Sequence, residues 1–128
     1  MITEDYVSFK IAKLLKEKGF YTPYCYSYYF PELKSKTPCI TNRVIPNDTD
    51  KYLAPTLQMA LKWLREVHNI EINVSMSALN SDNSREYMFN IFFTNERYLE
   101  PSKTKTGFKC YEKAVEAAIK YCLTNLIK

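Results

Sequence analysis

The sequence predicts an α+β domain in which an antiparallel sheet of three to four strands packs against three helices. Three observations lead to this prediction: an apolar helix between residues 55 and 69, two alternating strands directly after it, and an amphipathic helix at the end of the chain. The predicted order is roughly α-β-(β)-α-β-β-(β)-α. A chain of 128 residues can form one hydrophobic core, so we expect a single domain over residues 1–128.

The central helix is predicted over Pro55–Asn69. Its apolar residues, which include Trp63 and Val67, cover about 200° of the helical wheel, whereas an ordinary surface helix needs roughly 100°. We therefore expect neighbours on more than one side of this helix. Pro55 suits the first turn, where a missing N–H is harmless, and Asn69 suits the left-handed residue that ends a helix.

A β-hairpin is predicted directly after this helix. Apolar and polar residues alternate from Ile70 to Ala78, as in a strand with one buried face, and the polar residues 80–84 form a turn. The second strand runs from Tyr87 to Thr94, and a short third strand is expected near Thr104–Phe108. The last helix is predicted over Tyr111–Ile127, with Tyr111 on its apolar side.

The first part of the chain gives weaker signals. Thr3 can cap a helix that runs to Lys18 and is closed by Gly19, and Phe9 lies away from the apolar stripe of that helix. We expect residues 31–54 to be the least regular part of the domain. They contain one weak strand, at Cys39–Ile45.

Residues 20–30 contain seven aromatic side chains in eleven positions. Tyr24, Tyr26 and Tyr28 alternate with Cys25 and Ser27, which favours a strand. One interpretation is an edge strand with one ring-rich face. The other is a contact surface for a protein, or a stacking platform for bases.

Composition excludes several classes of protein. The net charge of +4 is mild, so it permits nucleic-acid binding without requiring it. The beginning of the chain lacks an apolar signal core, and no run approaches the length of a membrane span, so we expect a cytoplasmic protein that does not cross a membrane.

The four cysteines include no CxxC pair, and we expect buried free thiols. We expect no metal site.

Catalytic chemistry has little support in the sequence. His68 is the only histidine, and it lies on the apolar side of the central helix in its last turn, where packing or capping is its expected role. No nucleophile motif surrounds any cysteine, and no phosphate-binding loop or dinucleotide fingerprint occurs. We therefore expect a protein that is not an enzyme and that holds no cofactor.

Two segments together resemble a known family. They are Ala60-Leu-Lys-Trp-Leu-Arg-Glu-Val-His-Asn-Ile-Glu-Ile and Tyr111-Glu-Lys-Ala-Val-Glu-Ala-Ala-Ile-Lys-Tyr-Cys-Leu. The pair resembles an uncharacterised family of short proteins from gut bacteria, their phages and other mobile elements. The resemblance covers residues 55–127 as a recognisable core and leaves residues 1–54 as an N-terminal elaboration. It implies no activity, because none is known to us for the family.

Two hypotheses of function follow. The first is a small non-enzymatic protein-binding module, acting on a host or phage factor or on a second copy of itself. Its candidate contact residues are Phe9, Tyr24, Tyr26, Tyr28 and Tyr29. The alternative is nucleic-acid binding, since the order of helices and strands is broadly like that of a double-stranded RNA-binding domain. Its candidate residues lie in the basic region 97–113 and are Arg97, Lys103, Lys105, Lys109 and Lys113.

Overall fold

Three helices and two three-stranded antiparallel sheets make up the part of the chain that the computed structural model describes, which is residues 4–32, 36–47, 49–97 and 100–127. The helices are α1 (Phe9–Glu17), α2 (Leu57–His68) and α3 (Tyr111–Tyr121), and α3 continues into a π-helical turn, Cys122–Leu126. The strands are β1 (Ser27–Tyr29), β2 (Cys39–Ile40), β3 (Tyr52–Leu53), β4 (Ile70–Leu79), β5 (Arg85–Phe93) and β6 (Lys103–Phe108). The α+β prediction is confirmed, with the difference that the strands form two sheets.

Helix α2 is delimited by residues suited to helix ends. Thr56 is its N-cap, and its hydroxyl oxygen accepts a hydrogen bond from the N–H of Met59 at 3.2 Å. Asn69 ends the helix in the left-handed conformation, with φ of 57°, as predicted. Pro55 precedes the cap instead of occupying the first turn. Its carbonyl oxygen accepts the N–H of Val7 at 3.0 Å, so it joins the helix to the N-terminal segment.

The buried face of α2 is narrower than predicted. It consists of Leu57, Ala60, Leu61 and Leu64. Trp63 is half-buried, with its ring 5.4 Å from that of Phe20, whereas Val67 is 56% exposed. The expectation that Val67 is covered was wrong, because the neighbours of α2 do not reach that side of its last turn.

The larger sheet has the order β4-β5-β6. Strands β4 and β5 form the predicted antiparallel hairpin, in which Ile72 lies opposite Ile91. Helices α2 and α3 both pack against β4. The buried face of β4 stops part-way along the strand, because Ile70 and Ile72 are buried whereas Met76 is 53% exposed. A β-bulge interrupts the pairing between Met76 and Ala78.

The smaller sheet has the order β2-β1-β3. Strand β1 is therefore central, and the prediction of an edge strand in the tyrosine run was wrong. Hydrogen bonds flank it on both sides: the N–H of Thr41 bonds to the carbonyl of Tyr26, and the N–H of Ala54 bonds to that of Ser27, each at 2.8 Å. Only Cys39–Ile40 of the expected strand at residues 39–45 is regular, and β3 was not predicted.

Helix α1 begins later than expected. Its N-cap is Ser8, whose hydroxyl oxygen accepts the N–H of Ile11 at 3.3 Å, while the predicted cap Thr3 lies outside the described residues. Gly19 follows the helix with φ of 87°, which agrees with its predicted role. The residues before α1 are extended, and the N–H of Leu57 bonds to the carbonyl of Asp5 at 2.9 Å.

The end of α3 departs from regular helical geometry. Thr124 donates its hydroxyl to the carbonyl of Lys120 at 2.8 Å, and the side-chain amide of Asn125 donates to that of Tyr121 at 3.3 Å. These side chains occupy carbonyls that backbone N–H groups take in an α-helix, which accounts for the wider final turn. Tyr111, predicted on the buried side, is 37% exposed.

The cysteine prediction was half right. Cys25 and Cys122 are buried free thiols, but Cys39 is exposed and Cys110 is only partly covered. Cys39 is exposed because it lies in β2, at the edge of the smaller sheet. Burial raises the pKa of the Cys122 thiol to about 12, which keeps that sulfur protonated at neutral pH.

Candidate functional site: an aromatic groove beside strand β2

An open groove of about 160 Å³ lies beside the two-residue edge strand β2. It is lined by Tyr6, Tyr24, Cys25, Tyr26, Ser27, Ile40, Pro55, Thr56 and Met59, and we call it the aromatic groove. Three of these residues are strongly exposed: Tyr24 at 74%, Ile40 at 70% and Tyr26 at 41%. Large apolar side chains gathered around one depression are typical of surfaces that receive a partner.

Two tyrosines of the groove lie just before β1 and face solvent. Cys25, Ser27 and Tyr29 point inwards and are each at most 6% exposed. The hydroxyl of Ser27 donates to the carbonyl of Ala54 at 2.5 Å, which satisfies this buried side chain. Tyr26 lies between two inward residues and so faces outwards, while Tyr24 is in the turn that precedes them.

Tyr29 and Phe9 belong to the core and not to an accessible surface. Tyr29 is 2% exposed, and its hydroxyl donates to the carbonyl of Val7 at 2.7 Å. Burial, with a smaller effect from the Glu116 carboxylate, raises the pKa of this phenol. Phe9 is half-buried, with ring centroids 5.7 Å from Tyr29 and 5.4 Å from Tyr52. Its position away from the stripe of α1 is thus explained by contacts within the chain.

Tyr28 lies on a different part of the surface from the groove. Its ring centroid is 5.1 Å from that of Phe30, and the ammonium of Lys51 is 4.9 Å from the Tyr28 ring. The five predicted contact residues therefore divide between groove, core and this second cluster. Ile40 was missed because two residues of strand show no periodicity that would mark its side chain as part of a surface.

The residues predicted to contact nucleic acid do not form one patch. The ammonium of Lys103 is 5.4 Å from the ring of Tyr121, and that of Lys105 is 5.9 Å from the ring of Phe108. Lys109 lies near the hairpin turn, where its charge helps to lower the pKa of Asp82, a shift caused mainly by hydrogen bonds from Ser84. Arg97 is exposed in the segment after β5, and Lys113 is on α3.

Lys113 joins two lysines that the sequence did not single out. A shallow groove of about 280 Å³ between α1 and α3 is lined by Ser8, Lys10, Ile11, Lys113, Glu116, Ala117 and Lys120, and we call it the lysine groove. Contact with Lys10, through hydrogen bonding and charge repulsion, lowers the pKa of Lys120. An oxygen of Glu116 in the same groove accepts the backbone N–H of Ser8 at 3.1 Å.

His68 is a packing residue at the end of α2. Its ring centroid is 4.6 Å from that of Trp63, and its buried Nε2 has no hydrogen-bond partner among the described residues. Burial lowers the pKa of this imidazole, so the neutral form is favoured. Neither groove described above includes His68 among its lining residues.

In the described part of the chain, no group of three or more histidine, cysteine, aspartate or glutamate side chains could hold a metal ion. None of the helices in those residues has the length and apolar character needed to cross a membrane. No family model, curated protein or solved structure matches this chain.

Proposed function

We propose that this chain is a small, non-enzymatic protein-binding module and that the aromatic groove receives its protein partner. The observation that supports this most strongly is the exposure of Tyr24, Tyr26 and Ile40 around one depression. Tyrosine suits such a surface because its ring buries a large apolar area while its hydroxyl can bond to the partner or to water. We further propose that the protein acts in the cytoplasm, where its four free thiols would stay reduced.

The experiment is a pull-down with the tagged chain from a lysate of its own organism, followed by size-exclusion chromatography with light scattering. We expect a protein partner in stoichiometric amount. The double variant Tyr24→Ser/Ile40→Ser should reduce its recovery at least about tenfold, because each exposed apolar anchor contributes on the order of 1 kcal/mol or more. The matched control is Val44→Ser, which removes a side chain that is 56% exposed and is not among the lining residues of the groove. Equal recovery with the double variant would contradict the proposal.

The alternative function is nucleic-acid binding, and the observation that favours it is the convergence of Lys10, Lys113 and Lys120 in the lysine groove. These side chains form no ion pair with another described residue, so their charge is available to phosphates. Glu116 in the same groove weakens the patch, which is why we place this function second.

A gel-shift titration with mixed RNA and DNA tests the alternative. If it is correct, affinity falls steeply with added salt, and Lys10→Gln/Lys120→Gln lowers the slope of log affinity against log salt by about 2. Lys62→Gln is the control, because Lys62 pairs with Glu66 on α2 at 3.9 Å. Absence of retention at low salt would exclude nucleic-acid binding as the function.

A further inference from the structure

Strand β4 presents a free edge. It is the longest of the described strands, with ten residues, and it ends the β4-β5-β6 order, so no described strand pairs with the side that faces away from β5. The N–H of Thr94 bonds to the carbonyl of Asn69 at 2.8 Å. Because bonded and non-bonded pairs alternate in an antiparallel ladder, the N–H and C=O groups of Ile70, Ile72, Val74 and Met76 then point away from β5. Among the described residues these outward groups have no hydrogen-bond partner.

The same strand carries apolar side chains beyond the cover of the helices. Met76 is 53% exposed and Leu79 is 62% exposed, and both continue the row that begins with the buried Ile70. Next to this row, the rings of Tyr87 and Tyr111 are 6.4 Å apart, and Tyr111 is 37% exposed. A free edge that adjoins an exposed apolar surface is suited to receive another strand.

Devices that normally protect an edge are sparse along β4. The strand contains no proline and no lysine, and Glu71 is its only charged residue. That carboxylate is 3.7 Å from Arg65 of the same chain. The one protective feature is the bulge between Met76 and Ala78, which confines regular pairing to the residues that precede it.

We propose that β4 pairs with β4 of a second copy of this chain, antiparallel about a two-fold axis, so that the two larger sheets become one sheet of six strands. Pairing centred on Val74 uses the outward groups that lie beyond the fully buried Ile70, since Ile72 then bonds to Met76 of the other copy and Val74 to Val74. Like charges do not oppose each other in this register, because Glu71 lies opposite Ser77. A strand paired with its own copy is self-complementary, which closes the assembly at a dimer.

The exposed side chains also favour a second copy of this chain as the partner of β4. In this register Met76 of one copy lies beside the beginning of β4 of the other, which directly follows the end of α2. Val67 lies three residues before Ile70 and is 56% exposed, so an uncovered apolar side chain is present at that end of α2. This surface is separate from the aromatic groove, so the dimer does not depend on the proposed function.

Sedimentation velocity over a wide range of protein concentration tests the dimer. We expect the wild type to convert from monomer to dimer as concentration rises. Met76→Pro removes an outward N–H without removing a bond to β5, and it should raise the dimer dissociation constant at least about tenfold. The control Met76→Ala removes the exposed side chain but keeps the N–H, so it should dimerise more strongly than Met76→Pro.

Hydrogen exchange on the wild type gives a second readout that needs no variant. The amides of Ile72 and Val74 should exchange more slowly as concentration rises, while those of Asn73 and Ser75, which face β5, should not change. A chain that stays monomeric at every concentration would overturn the proposal, as would exchange at Ile72 and Val74 that is independent of concentration. Tyr24→Ser/Ile40→Ser should still dimerise, which separates this test from that of the aromatic groove.

Discussion

The buried side of residues 25–29 carries two small residues and one tyrosine. Cys25 and Ser27 point towards the core with Tyr29, and the hydroxyl of Ser27 bonds to the carbonyl of Ala54. The alternation in the sequence predicts two faces but not which of them is covered. A ring-rich face is often the buried one, because aromatic side chains gain most from leaving water. Here Cys25, Ser27 and Tyr29 occupy the inward positions, so Tyr26 faces outwards, and Tyr24 lies in the turn that precedes them.

The partly buried imidazole of His68 makes stability depend on pH. Its pKa is lowered by burial in the folded chain, so the unfolded chain binds a proton more readily. Its contribution to stability is present above the ordinary histidine pKa of about 6.5 and is lost as pH falls through the folded pKa. We expect the free energy of unfolding of the wild type to fall more between neutral and mildly acidic pH than that of His68→Phe.

Urea denaturation at several pH values measures this difference, and the carboxylates common to both proteins cancel in the comparison. Because His68 is the only histidine, the titration of its ring protons in NMR spectra also gives its folded pKa directly. A folded pKa at or above that of the unfolded chain would contradict the assignment of this side chain as a desolvated packing residue.

The four thiols should react at very different rates. Cys39 is exposed and should react first with a disulfide reagent, followed by the partly covered Cys110. Burial raises the pKa of Cys122 to about 12, so very little of this thiol is thiolate at pH 8. Because Cys122 and Cys25 are both buried, the reaction of each should be limited by the rate of unfolding. Cys39→Ser should abolish the fastest phase, and a fast phase of four thiols in the native protein would contradict the structure.

At the scale of elements, long periodic segments were predictable and short ones were not. The stripe of α2 and the alternation of β4 each extend over several periods, so their type follows from the sequence alone. Strands β2 and β3 have two residues each, which is too short for any period. Their pairing with β1 depends on contacts between distant parts of the chain. Ile40 could therefore be assigned to the aromatic groove only from the folded structure.

Substitutions of Asn69 test whether its left-handed conformation is what ends α2. The left-handed conformation costs an L-residue with a Cβ atom roughly 1–2 kcal/mol. Asparagine has a smaller cost because its side chain can form local hydrogen bonds. We expect Asn69→Ala to lower the free energy of unfolding by about 1 kcal/mol. Asn69→Gly, the matched control, should change it by only a few tenths or raise it slightly, because glycine adopts φ of 57° without strain. Equal effects of the two substitutions in urea denaturation would contradict this account.

At the scale of the whole molecule, the described residues before Pro55 share a hydrophobic core and backbone hydrogen bonds with the rest of the chain. Ile11, Phe20 and Tyr29 belong to the same hydrophobic core as residues of α2 and α3. Hydrogen bonds from Val7 to Pro55 and from Leu57 to Asp5 attach the N-terminal segment to the start of α2. The division into a recognisable core and an elaboration rests on sequence resemblance, which follows local patterns and carries no information about these distant contacts.

We expect a fragment of residues 55–128 not to fold on its own. Removal of residues 1–54 would take away α1, which packs against α3 and the π-helical turn, and the Phe20 ring that contacts Trp63, and would leave fewer apolar contacts to offset the loss of chain entropy. Circular dichroism during urea titration should show no cooperative transition for the fragment. The full chain should unfold in one transition with coincident probes. A sharp transition in the fragment would show that the N-terminal part is dispensable.

The contact between Trp63 and His68 joins the only tryptophan of the chain to its only histidine, with ring centroids 4.6 Å apart. The fluorescence of this indole should therefore respond to the protonation of one neighbouring group, His68. Its emission should change in intensity as His68 gains charge, and it should shift to longer wavelength on unfolding, when the ring of Phe20, 5.4 Å from the indole in the folded chain, moves away. Unlabelled protein thus provides separate signals for titration and for unfolding.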